Sequence, residues 1–218
     1  VKEIKPFDYI IPSDISSGAF FIILTTLSKN SKLLIKNVNI NPSRVAIISI
    51  LKKMGAKITF QNQKIYKGEK IADIKIKSPK SLKSINCPVK LNSGAIDEFL
   101  VIFLLASKAK GVSYFKNLSE LNEKESPRLA WGSKILNKIG IKTKTTKHSI
   151  KIFGNPQLKV TKEVEIKNFL KDHRVFMASV IASITFGGPM WHIYDRDSIN
   201  TSFPSFLKKI SEFGVKIN

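Results

Sequence analysis

A chain of 218 residues that is 43% hydrophobic has enough apolar material for one good core or two small ones, so a folded protein is expected rather than a disordered one. Its net charge of +21 fits either an anionic partner or lysine used as surface filler. Only four arginines occur (Arg44, Arg128, Arg174, Arg196), and the lysines are spread along the chain without the interleaved aromatics of a nucleic-acid groove.

The longest apolar runs, Ala19–Leu24 and Phe99–Ala106, fall far short of the roughly 20 residues a membrane-spanning helix needs. No secretory leader opens the sequence, and the single cysteine, Cys87, excludes an internal disulfide and a multi-cysteine metal site. A cytoplasmic protein with no membrane partner and no nucleic-acid partner is expected.

The predicted elements begin with a short strand near Tyr9–Ile11, followed by an apolar helix from about Asp14 to Ser28. A strand at Leu33–Val38, a helix at Pro42–Met54, and strands near Lys57–Phe60 and Asp73–Lys77 come next. The order then repeats. A short strand near Val89–Leu91 leads to an apolar helix at Asp97–Ala109, a strand at Val112–Lys116, a helix at Pro127–Ile139, and strands at Lys142–Thr145 and Ser149–Phe153. A third pass has a strand near Val164–Ile166, a helix from Asp172, a strand at Trp191–Tyr194 and a helix at Pro204–Phe213, stopping at Asn218.

Three similar punctuation marks carry the repeat: Lys53-Met54-Gly55-Ala56-Lys57, Lys138-Ile139-Gly140-Ile141-Lys142 and Glu212-Phe213-Gly214-Val215-Lys216. Each places glycine just past a helical pattern, where a left-handed backbone closes the helix, and then enters a strand. The unit is βαβαββ, about 80 residues long.

First helices are apolar nearly all round and should be buried on every side, whereas second helices are amphipathic. The expected fold is therefore α/β. Its three repeats, at about 7–80, 85–154 and 162–218, make one domain with apolar helices inside and sheets plus amphipathic helices outside. The third repeat lacks its closing strands and the first residue is Val, so a fragment is expected; unpaired sheet edges are usually avoided.

Asp14, Asp97 and Asp172 each begin an apolar helix, where an aspartate usually caps the end or meets the helix dipole, and Glu98 belongs to the same first turn. Lys124-Glu125-Ser126-Pro127-Arg128 lies between a strand and a helix. Lys124 and Arg128 bring cations to a helix N-terminus, where the dipole disfavours them; a phosphate or carboxylate would remove the conflict. Asp172-His173-Arg174 has the same character, and His173 there can be structural or functional. His148 and His192 fall in strand patterns without convergent partners, and Cys87 reads as a small buried hydrophobe. There is no P-loop, no G-x-G-x-x-G, no His/Cys metal cluster and no serine-nucleophile elbow.

These stretches together resemble the C-terminal half of EPSP synthase across essentially the whole chain. Pro12-Ser13-Asp14-Ile15-Ser16-Ser17-Gly18-Ala19-Phe20-Phe21 resembles the family's PGDISSAAFF, Asn41-Pro42-Ser43-Arg44 its NPTR, and Ile96-Asp97-Glu98-Phe99 its IDEF. Glu120-Leu121-Asn122-Glu123-Lys124-Glu125-Ser126-Pro127-Arg128 is similar to ELRVKESDR, Asp172-His173-Arg174-Val175-Phe176-Met177-Ala178 to DHRIAMA, and Thr201-Ser202-Phe203-Pro204 to TSFP. Six such motifs in order make the resemblance specific.

The resemblance implies transfer of an enolpyruvyl group from phosphoenolpyruvate to the 5-hydroxyl of shikimate 3-phosphate, by addition and elimination, with no cofactor and no metal. It implies that Asp97 orients or deprotonates the hydroxyl with Lys124 sharing that role, and that Glu125 exchanges the proton at the methylene carbon. It further implies that Arg128 and Arg174, with His173 beside them, hold phosphoenolpyruvate, and that Glu120 and Thr201 contact substrate. Departures are Asn122 for Arg, Glu123 for Val, Pro127 for Asp, Ser13 for Gly, and Thr201 where some members have Lys. The family's other domain, with most contacts to shikimate 3-phosphate, is absent from this sequence, so an inactive monomer is expected in isolation. The alternatives are a domain like UDP-N-acetylglucosamine enolpyruvyltransferase, and a non-catalytic anion- or RNA-binding module.

Overall fold

Three helices that are apolar on every side can be stable only if something covers each side. In the computed structural model, which describes residues 6–215, they cover one another. Helices α1 (Ile15–Leu27), α3 (Phe99–Ser107) and α5 (His173–Phe186) pack pairwise at the centre, and every residue of α3 is buried. Around them lie β1 (Lys32–Asn39), α2 (Ala46–Lys53), β2 (Lys57–Tyr66) and β3 (Glu69–Lys77) from the first third of the chain. The middle third supplies β4 (Gly111–Phe115), α4 (Arg128–Lys138), β5 (Thr143–Thr145) and β6 (Ile150–Gly154). The last third supplies β7 (Val164–Ile166), β8 (Trp191–Ile193) and α6 (Phe206–Ser211).

The strands form antiparallel sheets of order β1-β3-β2 and β4-β6-β5 and a parallel pair β7-β8, giving the expected α/β arrangement with buried helices inside. The three glycines at the repeat marks have φ of 97° (Gly55), 88° (Gly140) and 80° (Gly214), the left-handed backbone expected after a helix end. Cys87 is buried, and burial pushes its thiol up to about 11.

Five expectations need correction. The helix placed at Pro42–Met54 starts only at Ala46, because Asn41–Arg44 closes a turn with the Arg44 N–H on the Asn41 carbonyl at 2.9 Å. Tyr9–Ile11 forms no strand: the segment is exposed, Tyr9 lying against the Tyr66 ring, and a parallel bridge from Ser13 to Val38 takes the place of strand pairing. Val89–Leu91 is a 3-10 turn rather than a strand. Pro88 offers no N–H to a ladder, and the parallel bridges fall earlier, at Lys83↔Lys110 and Asn86↔Tyr114. The helix expected from Asp97 starts at Phe99, because Ser93–Glu98 winds as 3-10 with a kink at Ala95. His148 sits in the bend between β5 and β6, not in a strand.

Strands β2 and β3 run further than their apolar patterns indicated, joined by a two-residue turn with positive φ at Lys67 and Gly68. The registers of β1 and β2 with β3 break around Asn37 and Asn62, each with φ of 51°. Asp73 holds both bulges: the Asn37 backbone N–H donates to Oδ1 and Asn62 Nδ2 donates to Oδ2, each at 2.8 Å. The strand expected to begin after Phe213 reaches residues 216–218, outside the described residues. No helix among the described residues is long and apolar enough to cross a membrane.

Candidate active site

The first turns of the three central helices meet at one end of the bundle, where their positive dipole ends favour carboxylates. Asp14 caps α1, accepting from the backbone N–H of Ser16 at 3.1 Å and of Ser17 at 2.8 Å. Asp172 caps α5, accepting from the Arg174 backbone N–H at 2.9 Å. Asp97 caps nothing, since it lies inside the 3-10 turn before α3. That freedom lets its side chain face the cations of four elements.

Arg128, the first residue of α4, is the most engaged of them. Its side chain is 2% exposed and that of Asp172 0%; Nε donates to Asp172 Oδ2 at 2.9 Å and Nη2 to Oδ1 at 3.2 Å. Nη1 donates to Asp97 Oδ1 at 3.3 Å, and Nη2 also meets Glu125. Ser126 Oγ donates to Asp172 Oδ2 at 2.8 Å, completing the shell around that carboxylate. The cation that the α4 dipole disfavours is thus matched by the protein's own carboxylates. Burial would push Asp172 up, but the hydrogen bond and charge of Arg128, with Ser126 and the Arg174 N–H, hold it below its ordinary value.

Asp97 gathers the remaining charges. Lys124 Nζ lies 3.4 Å from its Oδ1, and Arg44 Nη1, from the turn before α2, 4.0 Å from its Oδ2. Burial pushes its carboxyl up, yet Arg174, Lys124 and Arg128 outweigh that and hold it below the ordinary value. Lys124 also reaches Glu120 Oε1 at 3.3 Å. Glu125 is half exposed and pairs with Nη2 of the buried Arg128.

Arg174, in the first turn of α5, is differently held. Nη1 donates to the Asp97 carbonyl at 2.9 Å and Nη2 to Ser16 Oγ at 2.7 Å, and the Ser16 hydroxyl meets Glu98. Burial is the main reason the Glu98 carboxyl is raised above its ordinary value, with Ser16 and Arg174 opposing. His173 is half-buried; desolvation and then the Arg174 charge push its imidazole below the ordinary value, so it is neutral at pH 7. Beside this end of the bundle a hollow of about 340 Å³ is lined by Ser13, Asp14, Asn39, Asn41, Arg44 and Glu69 among others. Among the described residues no group of three His, Cys, Asp or Glu side chains is placed to hold a metal ion.

The family model for EPSP synthase (3-phosphoshikimate 1-carboxyvinyltransferase) matches residues 1–210. The chain belongs to the EPSP synthase family.

A 3-phosphoshikimate 1-carboxyvinyltransferase of Ruthia magnifica subsp. Calyptogena magnifica is 38% identical over 216 residues, 99% of this chain and 48% of that protein. The solved EPSP synthase of Acinetobacter baumannii is similar with a TM-score of 0.84 and 35% identity, over 93% of this chain and 46% of that one. The enolpyruvyl transferase NikO from Streptomyces tendae, at TM-score 0.69 and 13% identity, covers 95% of this chain and 44% of its own, and shares the fold. The chain spans about half the length of the curated relatives it matches.

Of the sequence-predicted site residues, this EPSP synthase-family chain brings together Asp97, Lys124, Glu125, Arg128, Glu120 and Arg174, with His173 alongside. Thr201 is exposed on the turn after the 3-10 segment Arg196–Ile199, and among the described residues no hydrogen bond or ion pair ties its side chain to the cluster. Sequence reasoning missed Ser16, Arg44 and Ser126 as members, and placed Glu98 in a helix turn rather than in a buried contact. The rarity of arginine pointed to Arg44; both serines lie in motifs quoted for the resemblance, but a serine in the first turn or just ahead of a helix is too ordinary to be picked out.

Proposed function

We propose that this chain supplies one side of an active site that transfers the enolpyruvyl group of phosphoenolpyruvate to the 5-hydroxyl of shikimate 3-phosphate, the step that leads on towards chorismate. The observation that carries the reading is Asp97, held among Lys124, Arg128 and Arg174 with Glu125 paired to Arg128. Addition joins the 5-oxygen to C2 of phosphoenolpyruvate while C3 takes a proton; elimination removes a proton from C3 as the C2–O bond to phosphate breaks. Glu125, half exposed and paired with Arg128 at the rim of the cluster, is the group we assign to both proton transfers at C3.

Asp97 is held below its ordinary value, which makes it a weak base and a good acceptor, so it orients the 5-hydroxyl, with Lys124 as its partner in handling that proton. Arg174 takes the carboxylate or phosphate of phosphoenolpyruvate, and Arg128 joins when Glu125 swings away. Glu120 steers Lys124. Thr201 contacts substrate only if a partner domain closes over it. We further infer three repeats, 7–80, 85–154 and 162–218, forming one domain whose partner lies on the rest of a longer protein. The parallel pairings Ser13↔Val38, Asn86↔Tyr114 and Val164↔Trp191 support the threefold reading.

Phosphate release from phosphoenolpyruvate and shikimate 3-phosphate tests this. The chain alone should release none above background. A full-length chimera, in which the chain replaces the matching part of the Ruthia magnifica relative, should turn over. Turnover by the chain alone, or a folded chimera that binds neither substrate, would overturn the reading.

A further inference from the structure

Ser16 and Glu98 have no role in the reaction just described, yet they are 2% and 4% exposed at the meeting of the three central helices. They link to Arg174 in a chain whose polarity chemistry fixes. A guanidinium can only donate and an ionised carboxylate can only accept. The Ser16 hydroxyl, which accepts from Arg174 Nη2 at 2.7 Å, must therefore point its one proton at Glu98 Oε1. Nη1 donates to the Asp97 carbonyl at 2.9 Å and stands 3.8 Å from Glu98 Oε1. The two terminal nitrogens are thus tied to α1 and to the turn before α3, and rotation of the guanidinium would break both ties.

This arrangement costs something, since burying a carboxylate is unfavourable and an apolar side chain would fill the space without that penalty. Its return is orientation. A planar guanidinium binds carboxylate or phosphate well only when its fork faces the anion. Arg174 is 14% exposed, so it sits at the boundary where a fixed plane matters to an incoming group.

We propose that Glu98, acting through the Ser16 hydroxyl, is the positioning residue that sets the plane of the Arg174 guanidinium for the anionic group of phosphoenolpyruvate. The proposal rests on the reading that Arg174 holds that substrate. Two measurements test it. The first is the 15N spectrum of the Arg174 guanidinium in the 218-residue chain, assigned with Arg174→Lys. Wild type should show its two Nη signals separate, with rotation slowed; Ser16→Ala should merge them, Glu98→Gln should bring them closer, and Ser16→Thr should keep them apart. The second is kinetics in the chimera. Ser16→Ala should raise KM for phosphoenolpyruvate roughly tenfold, the scale of one lost hydrogen bond to a charged group, with kcat and KM for shikimate 3-phosphate nearly unchanged.

Unchanged Nη signals and an unchanged KM in Ser16→Ala and Glu98→Gln, beside a raised KM in Arg174→Ala, would overturn the positioning role alone. An Arg174→Ala chimera with unaltered KM would instead overturn the reading of Arg174 as a substrate residue. Should Ser16→Ala or Glu98→Gln fold poorly, Ser16→Thr still decides: a KM for phosphoenolpyruvate raised roughly tenfold although the hydroxyl is kept would sink the hydroxyl relay.

Discussion

The two arginines at the convergence of the helices carry the same chemistry in opposite settings. Arg128 is locked in a buried pair with Asp172 and spends its donors on three carboxylates. Arg174 is held by a carbonyl and a hydroxyl at the edge of the cluster. A buried guanidinium facing a buried carboxylate is part of the framework, because removing either partner strands the other charge away from water. One that hydrogen-bonds neutral acceptors, with the Glu98 carboxylate 3.8 Å away, keeps more of its field for an anion that arrives later. On the proposed reading, Arg128 chiefly builds the site and Arg174 chiefly takes the substrate.

The largest expected effect would break or sustain that division directly. Arg128→Ala should destabilise folding by about 3–5 kcal/mol, the scale for one member of a buried ion pair. Arg174→Ala should cost less, about 1–3 kcal/mol. Urea unfolding of both variants measures the difference, and equal losses would erase the distinction.

Acid titration sharpens it. Asp172 has a lowered folded value, so its contribution is present above the ordinary 3.8 and is lost as pH falls below that towards the folded value. Glu98 has a raised folded value, so stability falls as pH rises from the ordinary 4.5 through it, and Glu98→Gln should remove that loss. Unfolding free energies between pH 3 and pH 7 should show the two slopes with opposite signs.

A smaller effect belongs to His173. Its lowered folded value means that stability declines as pH drops below the ordinary 6.5, and His173→Gln should flatten that part of the curve. Melting temperatures at pH 5.5 and pH 7.5 check it; an unchanged slope in the variant would place the titration elsewhere.

The smallest effect compares two caps. Asp14 only caps α1, whereas Asp172 caps α5 and also holds Arg128. Asp14→Ala should therefore cost about 1 kcal/mol, and Asp172→Ala several times that. Similar losses in denaturant unfolding would mean that the ion pair adds nothing to the cap.

Much of this was legible beforehand. The glycine marks at Gly55, Gly140 and Gly214 announced the helix ends, because a left-handed residue is a local requirement that sequence displays. The three apolar helices announced the interior for the same reason. The length of β2 was not legible: Gln61–Lys64 breaks its apolar alternation, and the strand persists there because Asp73 and Asn62 tie the bulge. Nor was the start of α3, where Asp97 has the look of a cap but is turned by the 3-10 segment towards cations far away in sequence.

By itself, then, the sequence determined the order of the longer helices and strands, the buried helices, the family and most of the charged residues of the site, since periodicity, helix ends and motifs are written locally. Only the tertiary structure decided which charges meet. Asp97, Arg128, Asp172 and the Ser16–Glu98–Arg174 chain are assembled from segments as far as 158 residues apart. The direction in which each side chain points was settled by the packing of three helix ends, which no single stretch of residues encodes.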